Sequence, residues 1–222
     1  MAQTIREQLD ESGLFRDFPD NIKQQLADMS RTQTFRDGEM IYQQGDESAA
    51  MFGVLEGAIK LIGEDPNGKF FFFGLVTPGQ WFGETSAIDG APRGQSAMVI
   101  GNTKVMVLRR ADFVGLLDRQ PELYRYFMPV FCRRLRLAGQ VMEESAFLPV
   151  SVRLASNMLR MHRARQQYGI KLSQEDLAAC LGVTRQSIFR VLKEWEKNGW
   201  VTIEYGDVQI AQPQKLQELI EE

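Results

Sequence analysis

Glycine returns every eleven residues in the first half of this chain, at positions 57, 68, 79, 90 and 101, with Gly38 and Gly45 ahead of them. Between the glycines lie short apolar runs: "MFGVLE", "AIKLIGE", "FFFFGLV", "SAMVI" and "KVMVLR". Turn-forming stretches separate these runs: "RDGE", "QQGDE", "DPNGK", "TPGQ", "IDGAP" and "GNT". Glycine costs a helix backbone entropy and supplies the positive φ that tight turns need. Short strands with a turn roughly every 8–12 residues indicate an all-β barrel or roll. It spans residues 34–110. A repeat solenoid is the competing arrangement, but nothing except the glycine recurs.

The texture on either side is helical. Residues 4–30 read as short amphipathic pieces, "TIREQLDESGLF" and "PDNIKQQLADM". After Arg110 the glycine turns stop. Pro121 suits a first helical position. Leu123, Phe127, Val130, Leu137 and Val141 then recur at helical spacing and form a long apolar seam, which Arg134 interrupts. A helix this long cannot bury its stripe on one small roll. A partner helix from a second subunit is therefore expected, with packing inside the chain as the alternative. Pro129 lacks an N–H and is expected to kink or break this helix near its start. "LPVS" at 148–151 marks a boundary, with Pro149 ending the long helix and serving as a hinge. A further helix, "VSVRLASNMLRMHRARQQYG", stops at Gly169. The division that results is α+β. N-terminal helices and the roll occupy 1–115, the long helix 116–147, and a third region 148–222.

The third region carries the sharpest motif. "LSQEDLAACLGVTRQSIFRVLKEWEKNGWVTI" reads as helix, turn, helix. Ser173 and Asp176 form a capping box, and Leu177, Ala178 and Leu181 give the first apolar face. Gly182 permits the tight turn and Val183 plugs it. Thr184 caps the second helix, whose buried side is Ile188, Val191, Leu192 and Trp195. Gly199 ends it, and "WVTIEYGDVQI" alternates around a Tyr-Gly-Asp turn as a β-hairpin. Helix-turn-helix plus hairpin is a winged helix.

The exposed face of that second helix holds Arg185, Gln186, Phe189, Arg190 and Lys193. A recognition helix enters the major groove by its N-terminal residues. Arginine forks match guanine O6 and N7, and glutamine can grip adenine N6 and N7. Arg185, Gln186 and Arg190 are the base-reading candidates. Ser187 and Lys193 are placed for phosphates, and Phe189 for a thymine methyl. The competing reading is a solvated polar helix face. Charge is distributed to match nucleic acid. The chain as a whole carries −3, yet residues 150–198 hold nine Lys/Arg against four Asp/Glu, and residues 1–149 sixteen against twenty.

Taken together these stretches resemble the CRP/FNR (catabolite activator / fumarate-nitrate regulator) superfamily of bacterial transcription factors. The resemblance runs from about residue 14 to 213 through "RDGEMIYQQGD", "VLEGAIKLI", "PGQWFGE", "DGAPR", "RRLRLAG", "SAFLPVSVRLA" and the helix-turn-helix. It implies a cyclic-nucleotide-binding-type jelly roll, a long dimerisation helix and a C-terminal winged helix. It also implies a homodimer on palindromic double-stranded DNA near promoters, in contact with RNA polymerase, as an activator or a repressor. Where the cAMP-responsive branch reads Arg-Glu-Thr-x-x-Arg, this chain reads Arg185-Gln186-Ser187-Ile188-Phe189-Arg190. Glutamine in place of glutamate implies a weaker cytosine preference and a half-site like, but not identical to, TGTGA.

On the effector side the resemblance is incomplete. The family's pocket uses a Gly-Glu pair and, about ten residues on, an Arg-Ser or Arg-Thr pair. Here Gly83-Glu84 is kept, followed by Thr85. Arg93 is separated from Ser96-Ala97 by Gly94 and Gln95, and Ala138 stands where the family's long-helix threonine meets adenine. Either Arg93 reaches an anion through a reshaped loop, so that cAMP or another cyclic nucleotide binds, or the roll has lost that ligand. Glu84 is a ribose ligand in the first reading and a structural carboxylate capping turn amides in the second. The run "KFFFFGL" at 69–75 exceeds what strand alternation can bury on one face. Two phenylalanines are expected in the core and two under helices or at the dimer contact, unless the run is an effector or polymerase surface.

Other chemistry is poorly provided for. Cys132 and Cys180 are far apart, without a CxxC, and His162 is the single histidine. No iron–sulfur cluster, haem or metal is expected. A β-roll enzyme of the cupin type needs histidine ligands on its strands, and residues 34–110 contain none, so no enzymatic activity is expected. No apolar run approaches the ~20 residues that span a bilayer, and the polar start "MAQTIREQLDE" is not a signal peptide, which makes the expected location cytoplasmic.

Overall fold

A computed structural model describes residues 4–65, 70–204 and 206–221. Residues 66–69 of the "DPNGK" turn, with Gly68 of the glycine series and Lys69 of "KFFFFGL", and Tyr205 of the hairpin turn lie outside the described residues. The chain divides into two compact units, Met1–Gly63 with Leu75–Leu137, and Glu64–Gly74 with Ala138–Glu222.

The first unit opens with α1 (Ile5–Glu11) and α2 (Asp20–Met29). The roll follows: β1 (Arg31–Phe35), β2 (Met40–Tyr42), β3 (Ala50–Glu64), β4 (Phe70–Val76), β5 (Trp81–Phe82), the short helix α3 (Glu84–Asp89) and β6 (Ser96–Arg109). The strands form one sheet in the order β1-β6-β3-β4, with β2 also on β6 and β5 on β3. The sequence suggested more and shorter strands. Gly57 lies inside β3 and Gly101 inside β6, both at positive φ. The β3–β6 register shifts around Gly57, so this glycine bends a long strand rather than ending it. Gly90 caps α3, a helix that no periodicity announced.

Alternation along β3 and β6 separates two cores. Phe52, Val54, Ile59, Val99, Val105 and Val107 fill the roll with Val76 and Phe82. Met51, Leu55, Met106 and Leu108 point the other way, into the helices, around Phe15, Phe18, Phe113 and Phe127. Phe15 is ringed edge-on by Phe18, Trp81, Phe113 and Phe127. The phenylalanine run corrects the expectation of two core residues. Only Phe72 is buried, while Phe70, Phe71 and Phe73 are exposed at 56%, 39% and 53%. Phe71 and Phe73, two apart and so on one face of the strand, pack edge to face at 4.8 Å.

After β6 come α4 (Arg110–Arg119), a 3-10 turn over Pro121–Leu123 and α5 (Tyr124–Phe147). The long helix thus starts at Tyr124 rather than at residue 116. Pro129 lies inside it, so of the two expected effects a break does not occur. The hydrogen bond it forgoes is among the first inside the helix, next to N–H groups that have no intrahelical partner in any case. The expected seam is also divided. Leu123, Phe127 and Val130 are buried in their own chain's core, whereas Leu137 and Val141 are exposed.

The second unit contains α6 (Val150–Tyr168), α7 (Gln174–Leu181), α8 (Arg185–Lys197), the hairpin β7 (Val201–Glu204) and β8 (Asp207–Ile210), and α9 (Pro213–Glu221). Its core is Leu154, Met158, Leu177, Ile188, Leu192, Trp195, Val208 and Leu216. Arg153 of α6 donates to Ser145 O at the end of α5 and to Leu181 O at the end of α7.

Candidate nucleic-acid interface and effector site

The helix-turn-helix is built as its sequence demands. Ser173 Oγ accepts from Asp176 N, and Asp176 returns a bond to Ser173 N. Gly182 ends α7 in the left-handed conformation, φ 64°, which a side chain would strain. Thr184 Oγ1 accepts Ser187 N at 3.2 Å and caps α8. Ile188, Leu192 and Trp195 are buried, and Val191 is half-buried. On the other side Arg185, Gln186, Arg190 and Lys193 are exposed, and Phe189 is 46% exposed. No ion pair is recorded for Arg185 or Arg190 among the described residues. Lys193 approaches Glu196 at 4.0 Å and stands 5.9 Å over the Phe189 ring. Ser187 is half-buried and shares a hydroxyl contact with Thr184 at 2.9 Å.

In the roll, Arg93 departs from the simple expectation of an arm aimed at an anion. It is 4% exposed. Its Nη1 donates to Gly83 O and Ser86 Oγ, both at 2.9 Å, and Nη2 donates to Ala50 O. The guanidinium lies 4.2 Å above the Tyr42 ring. Gly83, at φ 75°, makes this possible: a Cβ there would stand 2.6 Å from Arg93 Nη1. Arg93 Nε is buried without a partner. Burial pushes the guanidinium below its ordinary value, opposed by Tyr42, Asp46 and Glu84. Burial likewise pushes the Tyr42 phenol above the ordinary range, with Arg93 opposing.

Glu84, the first residue of α3, is 3% exposed and ion-paired with Arg134 of α5. This gives the arginine in the helix seam a purpose, and it replaces the expectation that Glu84 caps turn amides. Thr85 is exposed. Ser96 Oγ accepts Gln44 N at 2.9 Å, and Ala97 is buried between Tyr42 and Leu61 in the sheet. Ala138 is exposed on α5. The candidates Gly83, Glu84 and Arg93 are therefore brought together, and Ser96 is occupied by the backbone. Tyr42, Ser86 and Arg134 were missed. Only the misfit of Arg134 in an apolar seam signalled any of them.

A family model for the cyclic nucleotide-binding domain matches residues 32–120, and one for the Crp-like helix-turn-helix domain matches residues 152–219. The chain belongs to the CRP/FNR superfamily. Among CRP/FNR relatives, the "Cyclic AMP receptor protein" of Thermus thermophilus is 27% identical over 90% of this chain and 93% of its own. The "Nitrogen fixation regulation protein FixK" of Bradyrhizobium diazoefficiens is 25% identical over 86% and 82%. A CRP/FNR-family transcriptional regulator from Thermus thermophilus has the same fold, with a TM-score of 0.71 at 24% identity over 86% of this chain and 99% of that one. Within CRP/FNR this chain is a DNA-binding transcription regulator that joins a cyclic-nucleotide-binding-type domain to a helix-turn-helix domain. No helix among the described residues is long and apolar enough to cross a membrane.

Proposed function

We propose that the chain acts as a homodimer on palindromic promoter DNA, with α8 of each copy in the major groove and RNA polymerase as its further partner. The observation that carries this reading is the entering end of α8. Arg185, Gln186 and Arg190 are exposed there on a helix whose opposite face is buried. Arg185 and Arg190 read guanine, Gln186 reads adenine, and Phe189 meets a thymine methyl. Lys193 and Ser187 hold phosphates, the latter by releasing Thr184. The hairpin β7–β8 lays its exposed cross-strand pair, Thr202 and Gln209, on the backbone beside the groove.

Dimerisation is supported by α5. Tyr124, Met128, Phe131, Leu135, Ala138, Met142 and Ser145 recur at alternating intervals of four and three, one residue on from the row that starts with the buried Leu123, Phe127 and Val130. Leu135 and Met142 are 75% and 72% exposed, large apolar side chains seven residues apart on one face that a facing helix would cover. We assign 1–115 to effector control, 116–147 to dimerisation and 148–222 to DNA.

For the effector, the internal bonding of Arg93 and Glu84 favours a roll that does not take cAMP tightly. The second reading, a cAMP response through a reshaped pocket, is favoured by the relative named for cyclic AMP and by the retained Gly83-Glu84-Arg93 set. Anisotropy titration of a labelled palindromic duplex tests the main reading. Two chains per duplex and an affinity that falls steeply with salt are expected. One chain per duplex, or affinity indifferent to salt, contradicts it.

A further inference from the structure

The DNA-binding unit contains a buried charge pair outside the recognition helix. Arg165, in the last turn of α6, and Asp207, the first residue of β8, each have 7% of the side chain exposed. Arg165 Nη2 donates to Asp207 Oδ1 at 2.5 Å and to Val208 O at 2.7 Å, and Nε donates to Ile170 O at 3.2 Å. Asp207 also accepts Leu172 N at 3.0 Å and Gln209 Nε2 at 3.1 Å. Val208 N donates to Leu172 O at 3.1 Å. One carboxylate thus ties together the end of α6, the segment entering α7, and the hairpin.

Such a pair is an expensive way to obtain stability, because both ions lose their hydration and an apolar pair of similar size often serves as well. Its distinctive property is direction. Five bonds to three chain segments allow one placement of the hairpin, which an apolar contact would not specify. Gln209 is half of the exposed pair Thr202–Gln209, and its amide is itself oriented by Asp207. α8 receives none of these five bonds; Ile188, Leu192 and Trp195 pack it into the core of the unit.

We infer that Arg165 and Asp207 are positioning residues for DNA binding: they set the hairpin so that Thr202 and Gln209 meet the phosphate backbone, while base reading stays with α8. The inference rests on the DNA-binding reading above. Losing the pair removes about one phosphate contact per hairpin and lowers affinity for every sequence alike.

The test measures affinity and its salt dependence for wild type, Arg165→Lys, Asp207→Asn and the paired change Arg165→Met with Asp207→Leu. Each is titrated on a selected palindrome and on random duplex, with Arg185→Ala as control. Asp207→Asn leaves Arg165 as a lone buried charge and Arg165→Lys keeps the charge but loses the fork of donors, so either folds poorly in the worst case. The paired variant leaves no buried charge and carries the test in that event. A folded paired variant that binds both duplexes some 5- to 20-fold more weakly, with a salt slope shallower by about one per chain and unchanged base preference, is the expected result. The paired variant binding with wild-type affinity and slope overturns the inference, since the bonds would then only stabilise the fold. Loss of base preference in that variant overturns it too. Wild type that binds no duplex overturns the DNA-binding reading itself. Relaxed base choice in Arg185→Ala with an unaltered paired variant overturns the positioning role alone.

Discussion

Glu84 at the start of α3 and Arg134 in the middle of α5 are ion-paired, with the carboxylate buried and the guanidinium half exposed. The pair ties the loop that holds Gly83 to the helix that carries the exposed apolar row. Removing Arg134 leaves a carboxylate out of water. Arg134→Ala is expected to cost about 1–3 kcal/mol, reduced from a fully buried pair by the solvent around Arg134, and to lower the melting temperature by several degrees. Glu84→Gln, which leaves no buried charge, should cost less. Equal losses in the two variants, measured by thermal unfolding, would contradict this.

Arg93 makes its bonds inside the protein, to Gly83, Ser86 and Ala50. A ligand phosphate must compete with them. Millimolar cAMP is therefore expected to shift the melting temperature by less than about a degree. A ligand at ~100 times its dissociation constant would add about 2.7 kcal/mol, a shift of a few degrees. Such a shift, abolished in Arg93→Met, would establish the cAMP reading instead.

Tyr42 offers a pH test. Its phenol is raised above the ordinary range, chiefly by burial. The folded state therefore holds this proton at a pH where the unfolded chain releases it. The stability so contributed is complete below the ordinary tyrosine pKa and is lost as pH rises through and beyond it. Absorbance titration should show one of the five tyrosines ionising late, and Tyr42→Phe should remove that late step. Loss of an early step instead would place Tyr42 in water.

Much of this fold was legible in residue patterns. The capping box at Ser173, the glycine at 182 and the Thr184 cap each have a local cause and appear as expected. What the sequence concealed was of longer range. Gly57 and Gly101 carry the same signal as turn glycines, yet β3 and β6 run on through them, because the two strands pair again on either side of the shifted register there. The heptad-like rows on α5 are offset by one residue, and periodicity alone cannot say which row its own domain covers. At the effector site, Gly83, Glu84 and Arg93 were visible as a motif. Their partners Tyr42, Ser86 and Arg134 lie on other elements, or on α3's buried side, and no spacing rule connects them.

The exposed row on α5 predicts the assembly. Leu135→Glu places a charge at the centre of a helix pair that buries this row, and should convert the dimer to monomer in sedimentation equilibrium at micromolar concentration. A Leu135→Glu variant that remains dimeric would place the interface elsewhere. The same substitution should weaken DNA binding, because a half-site alone engages one α8.

The most direct measurement is selection of bound duplexes from a random pool, run in parallel for wild type and Arg185→Ala. Wild type should enrich a palindrome with a guanine in each half-site that the variant no longer requires, at a cost of ~1–3 kcal/mol per contact. Enrichment of no motif, or of the same motif with undiminished guanine preference in Arg185→Ala, would contradict base reading by this helix.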